Sequence, residues 1–147
     1  INSNKMNNLN KSVQSAWTHF KEEVLQSKNM IISLNADDLN VLEEKKDAGI
    51  FVFEVSTDDT SESRFKLLGN KFIEQYSQLI SAETSILKML MLVQTPVSIP
   101  ATMNDMNHFN NLVHVISPSN RDLELKWGIA LREDRLSKLS VAVQYKL

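Results

Sequence analysis

The chain has 147 residues, of which 42% are hydrophobic and 23% are charged, values typical of one globular domain. Its formal net charge of -2 argues against nucleic acid as a partner, since a domain that binds it usually carries a clustered basic surface. The sequence contains no cysteine, which excludes disulfides, thiolate catalysis and cysteine-ligated zinc.

Apolar runs are too short to cross a membrane, which takes roughly 20 residues. The longest run, at 86–93, is interrupted by Lys88. The polar, Asn-rich N-terminus does not resemble a signal peptide. We therefore expect a cytoplasmic protein without a membrane partner. The chain begins with Ile1 instead of Met, so we also expect a fragment or a processed chain.

The first half of the chain favours helices. Residues 1–10 are expected to be a loose polar lead-in, and a helix is predicted over 11–27 because apolar residues recur at helical spacing. These residues are Val13, Trp17, Phe20, Val24 and Leu25. A second helix is expected to be capped by Asn35 or Asp37 and to stop at Gly49.

The remainder alternates strands with helices. The predicted strands lie at 50–55, 86–94, 123–131 and 139–147, and helices at about 65–76 and 102–117 separate the first three of them. The last two strands alternate apolar and polar or small residues, and the connection at 132–135 favours an antiparallel hairpin. The sequence therefore predicts an α/β (α+β) fold. We expect a four-stranded mixed sheet with helices packed on it and a C-terminal hairpin, in one domain over 11–147.

Residue patterns for a complete active site are missing from the sequence. A phosphate-binding loop needs closely spaced glycines, whereas Gly49, Gly69 and Gly128 lie far apart. His108 and His114 are six positions apart, so they do not form the i, i+4 pair of a helical metal site. We expect neither a metal site nor a cofactor in this chain.

One polar segment, Asn35 to Asn40, is different because it follows a long helix and begins a short one. Its Asn and Asp side chains can cap the free amide groups of the second helix. A carboxylate held at this junction can also orient water towards a substrate that another molecule brings in. Both interpretations fit the residues.

The order of elements and the Asn35-Ala36-Asp37 motif resemble the C-terminal domain of the tubulin/FtsZ family. In that family a long helix leads into a loop of the form Asn-x-Asp-x-x-acid, followed by elements in this order. The resemblance covers about residues 11–147, and it continues at Glu62-Ser63-Arg64 and at Trp127-Gly128-Ile129.

The resemblance implies a role in a polymer. Proteins of the family bind GTP, with Mg²⁺, in an N-terminal domain, and the loop of the next subunit completes the site for hydrolysis. It implies that Asn35 and Asp37 are the loop residues of this chain. The second acid of the family is replaced by the neutral Asn40, and Asp38 is a weaker candidate for its place.

The leading interpretation is the C-terminal domain of a polymerising cytoskeletal GTPase, inactive alone. Its partners would be a GTP-binding domain and other copies in a homopolymer. The alternative is a separate interaction module that docks on or caps a related filament. A glycine-rich phosphate loop encoded upstream of Ile1 would support the first interpretation, and a nearby start codon the second.

Overall fold

The described part of the chain contains helices on both faces of one four-stranded sheet. The computed structural model describes residues 3–27, 34–61, 63–81, 83–102, 104–109 and 123–147. Its elements are α1 (Ser3–Gln26), α2 (Ala36–Glu44), β1 (Ala48–Thr57), α3 (Arg64–Leu79), β2 (Ile86–Pro96), β3 (Glu124–Arg132) and β4 (Ser137–Lys146). Residues 104–109 are also helical, whereas the rest of the helix expected over 102–117, with His114, lies mostly outside the described residues.

The sheet has the strand order β1-β4-β2-β3. β4 is antiparallel to both of its neighbours, β1 and β2, and β2 is parallel to β3. Three strands therefore run in one direction and β4 runs in the other. This arrangement confirms the predicted mixed sheet.

The expected C-terminal hairpin is wrong, because β2 lies between β3 and β4. β4 is buried on both sides from Ser137 to Gln144, as a central strand must be, whereas β3 exposes Glu124 and Lys126. The connection crosses the end of β2 at Arg132. The guanidinium of Arg132 donates to Gln94 of β2 (3.1 Å) and to both carboxylate oxygens of Asp134 (2.9 and 2.6 Å).

One face of the sheet packs against α3 and the helical stretch 104–109. Aromatic rings dominate this layer, with Phe53 against Phe72 and Tyr76, and Phe65 against Phe109. The apolar residues of β3 and β4 also turn to this face, as their alternation predicts. These residues are Leu123, Leu125, Trp127, Ile129, Leu139, Val141, Val143 and Tyr145.

The opposite face packs against α1 and α2. Phe20 and Val24 of α1 and Leu39 and Leu42 of α2 are buried there. They pack in one cluster with small or aliphatic residues of three strands, namely Leu90 and Leu92 of β2, Ala130 of β3 and Ala142 of β4. Helices that cover both faces explain why β2 and β4 are buried along nearly their whole length.

Two element boundaries differ from the expectation. α1 begins at Ser3, so most of the segment 1–10 that was expected to be a loose lead-in is helical. α2 ends at Glu44, and Gly49 belongs to β1 instead of stopping the helix. Gly49 pairs with Tyr145, and a Cβ at position 49 would lie 2.4 Å from Tyr145 Cζ. Glycine at this position leaves room for the tyrosine ring, which a larger side chain would have to push aside.

No helix in the described part of the chain is both long enough and apolar enough to cross a membrane.

Candidate functional site

The Asn35–Asn40 segment forms the start of α2. Asn35 is the N-cap: its Oδ1 accepts a hydrogen bond from the Asp38 backbone N–H (3.2 Å). In return, Asp38 Oδ2 accepts a hydrogen bond from the Asn35 backbone N–H (3.0 Å). This reciprocal pair is a capping box, which satisfies two amide groups that the helix itself leaves free. The capping interpretation of Asn35 is therefore confirmed.

Asp38 points towards the sheet, because its side chain is only 6% exposed and Lys126 of β3 donates to its Oδ1 at 2.5 Å. Burial raises the pKa of Asp38, but the hydrogen bonds from Lys126 and Asn35, together with the charges of Lys126 and Lys88, outweigh burial and the net pKa is lowered. Asp38 is thus an ionised capping residue held by the sheet. In this arrangement it does not project towards a neighbouring molecule.

Asp37 and Asn40 lie on the outer side of α2, and both are exposed. Residues three apart on a helix are neighbours on its surface, so the two polar groups form one patch. Val41, four positions after Asp37, is 48% exposed beside them. Among the described residues, no side chain hydrogen-bonds to the Asp37 carboxylate. We call Asp37, Asn40 and Val41 the outer face of α2.

Contacts to two further elements hold α2 in place. Glu43 accepts hydrogen bonds from Trp17 Nε1 (2.9 Å) and Lys21 Nζ (2.5 Å) of α1. These bonds, led by that from Lys21, lower the pKa of Glu43. At the end of α2, the buried Gln144 of β4 donates to the Leu42 carbonyl (3.1 Å). The outer face is therefore carried by a helix that is anchored at both ends.

The sequence interpretation did not identify Lys126 or Gly128 as residues that support this site. Lys126 is 88 positions from Asp38 in the sequence. In the sequence, Lys126 is one of the polar residues that alternate with the apolar residues of this strand, so the pattern predicts only that it faces solvent. The resemblance at Trp127-Gly128-Ile129 was the only signal near it, and it gave no reason for the glycine.

A second polar cluster joins α1 to the sheet. His19 Nε2 lies 2.8 Å from Glu23 Oε1 and 3.6 Å from Glu54 Oε2, and the three residues offer ligand atoms within 4.8 Å of one another. However, the ammonium of Lys138 already contacts both carboxylates, at 3.0 Å from Glu54 Oε1. The arrangement is an ion-pair cluster that fastens α1, and a metal ion would have to displace the lysine.

Comparisons with known proteins bear on the fold. No protein-family model matches the chain, and no curated protein matches it in sequence. Among solved structures, it is similar to a helical model of the TubZ-Bt four-stranded filament, with a TM-score of 0.68 and 12% identity over 91% of this chain. It is also similar to GDP-form protofilaments of TubZ from Bacillus thuringiensis serovar israelensis (TM-score 0.63, 12% identity, 84% of this chain).

An empty FtsZ dimer from M. jannaschii matches as well, with a TM-score of 0.58 and 16% identity over 83% of this chain. The chain spans about a third of the length of each of these proteins: 33%, 32% and 34%. The described elements are those of an α/β domain with a mixed sheet between two helical layers. Together with these matches, they show that the chain has a tubulin/FtsZ-like fold.

Proposed function

We propose that this chain is the C-terminal domain of a tubulin/FtsZ-like polymerising GTPase, and that the outer face of α2 completes the GTP site of a neighbouring subunit. The observation that carries the proposal is the anchored outer face itself: Asp37 and Asn40 project outward from a helix that is capped by Asn35. The matched TubZ and FtsZ structures, a filament, protofilaments and a dimer, support a role in self-assembly. The partner would be the GTP-binding domain of another copy, in the cytoplasm.

The chemistry required of this face is modest. Hydrolysis of GTP needs an oriented water molecule and stabilisation of the phosphate charge, and Mg²⁺ with the nucleotide-binding domain would supply the latter. The Asp37 carboxylate can accept a hydrogen bond from the attacking water, and the Asn40 amide can orient it. Asn40 cannot accept a proton, so we expect slower hydrolysis than an acid at this position would give.

The test uses polymers of the longer protein that the proposal requires, in which this chain follows a GTP-binding domain. Asp37→Ala should reduce phosphate release by about 10²-fold or more, because positioned groups of this kind contribute roughly 10²–10⁴-fold. Asn40→Asp should raise the rate. Asp58→Ala, which removes an exposed carboxylate after β1, is the matched control and should leave the rate unchanged.

Unfolding curves of the same variants separate function from stability. Because Asp37 makes no capping bond, Asp37→Ala should cost less than the roughly 0.5–2 kcal/mol of a lost N-cap. Normal hydrolysis by polymers of Asp37→Ala would show that the segment is only a helix cap. An unchanged rate in both Asp37→Ala and Asn40→Asp would refute the assignment of the loop.

A further inference from the structure

β3 runs beneath the start of α2 and touches it at two points. Lys126 and Gly128 are two residues apart on the strand, so both turn to the face that carries α1 and α2. Lys126 binds Asp38, as described above. Gly128 lies against Leu34, the residue directly before the Asn35 cap. β3 therefore supports the candidate loop at Leu34, just before its first residue Asn35, and at Asp38, three residues after it.

The Asp38 carboxylate connects the loop to β3. Its Oδ2 accepts from the backbone of Asn35 and its Oδ1 accepts from Lys126, so one side chain closes the capping box and ties it to the sheet. Loss of the lysine charge would leave a nearly buried carboxylate without its cation. The carboxylate would then turn to water, which opens the capping box beside Asp37.

Gly128 determines how closely the loop that begins at Asn35 approaches β3. A Cβ at position 128 would lie 2.9 Å from Leu34 Cγ and 3.2 Å from Leu92 Cδ1. The first distance is shorter than carbon atoms tolerate, so alanine would displace Leu34. Leu34 is buried, at 4% exposure, and its displacement would move the adjoining Asn35 cap.

We propose that Lys126 and Gly128 are positioning residues for hydrolysis in the neighbouring subunit. They act through Asp38 and Leu34, which hold the outer face of α2 where the neighbour's nucleotide meets it. This inference rests on the proposed function. A displacement of about 1 Å costs on the order of 10²-fold in rate when it affects a group that orients a reactant.

The first experiment measures amide hydrogen exchange of residues 35–40 in the chain as it stands. Lys126→Met should speed exchange of the Asp38 amide by about tenfold or more, since the amide loses the cap that the Lys126–Asp38 pair maintains. Lys126→Arg keeps the charge and should retain most of the protection. Lys66→Met, which removes an exposed lysine on the opposite helical layer, is the matched control and should leave exchange unchanged.

The second experiment measures phosphate release by polymers of the longer protein. Lys126→Met should lower kcat by about tenfold to 10²-fold, and Lys126→Arg should restore most of it. Adding Asp38→Asn to Lys126→Met should cause no further loss, because both changes break the same link. Gly128→Ala should also slow hydrolysis. The double variant Gly128→Ala/Leu34→Ala should recover part of the rate, because the shorter side chain makes room for the methyl group.

The results separate this inference from the proposed function. Loss of hydrolysis in Asp37→Ala with normal hydrolysis in Lys126→Met would overturn the inference alone. Normal hydrolysis in Asp37→Ala would overturn the proposed function and, with it, this inference. Slow hydrolysis by Lys126→Met with unchanged exchange at Asp38 would also overturn the positioning role, because Lys126 would then act on the nucleotide directly.

Discussion

Asp37 and Asp38 are adjacent carboxylates in different electrostatic environments. Asp37 is exposed, whereas Asp38 is buried and accepts hydrogen bonds from the Asn35 backbone N–H and from Lys126. Burial alone would raise the pKa of Asp38, but two hydrogen bonds and the charges of Lys126 and Lys88 lower it below the ordinary 3.8. The same pairing raises the pKa of Lys126, chiefly through its hydrogen bond to Asp38. Two consecutive residues of α2 thus provide a structural acid, Asp38, and an available one, Asp37.

The lowered pKa of Asp38 predicts a specific dependence of stability on pH. The folded chain binds fewer protons at this site than the unfolded chain, so the pair stabilises the fold above about pH 4 and its contribution is lost as the pH falls further. We expect Asp38→Asn to lose about 1 kcal/mol of unfolding free energy near pH 6, because Lys126 is half exposed and water screens the pair.

The difference between wild type and Asp38→Asn should shrink as the pH falls below about 4 and Asp38 takes up a proton, because a protonated Asp38 is neutral like asparagine. Urea unfolding at a series of pH values measures it, with Asp58→Asn as the exposed control. A difference that stays constant down to acidic pH would show that the ion pair contributes nothing to stability.

At the level of elements, local patterns in the sequence predicted the strands but not their neighbours. Alternation in β3 and β4 gave both strands and the face that each turns to the core. The short connection between them favoured a hairpin, yet β2 separates them. β2 is mostly apolar and is buried along nearly its whole length, which fits a central place beside β4. The candidate site shows the same difference between local features and long-range contacts. The Asn35 cap is local and was predictable, whereas the Lys126–Asp38 pair depends on packing between distant segments.

The choice of which β3 residues face the core leads to a second prediction. Trp127 is half-buried against Phe109, with ring centroids 5.9 Å apart. We expect Trp127→Ala to destabilise the chain by about 2–3 kcal/mol, less than the roughly 3–5 kcal/mol of a fully buried ring. Trp127→Phe should lose less, because a ring remains in the contact. Leu25→Ala removes a side chain that is 60% exposed and should change little. An unchanged denaturation midpoint for Trp127→Ala would mean that β3 is shifted by one residue and turns Trp127 to solvent.

At the scale of the whole molecule, none of the glycines of the chain is placed to form a phosphate cradle. The three glycines of the chain all lie inside regular elements: Gly49 in β1, Gly69 in α3 and Gly128 in β3. Gly49 and Gly128 serve packing, because Tyr145 approaches the backbone at position 49 and Leu34 approaches it at position 128. A glycine-rich loop at a helix N-terminus, as phosphate binding requires, therefore has no glycines to form it.

This distribution of glycines predicts that the chain alone does not bind GTP with useful affinity. We expect calorimetric titration with GTP and Mg²⁺ to give a dissociation constant weaker than about 100 μM, which corresponds to roughly 5.5 kcal/mol of binding free energy. The longer protein with its GTP-binding domain is the positive control and should bind far more tightly. If both bind equally, the nucleotide site lies within these 147 residues. The outer face of α2 would then serve a site in its own chain, and no neighbouring subunit would be required.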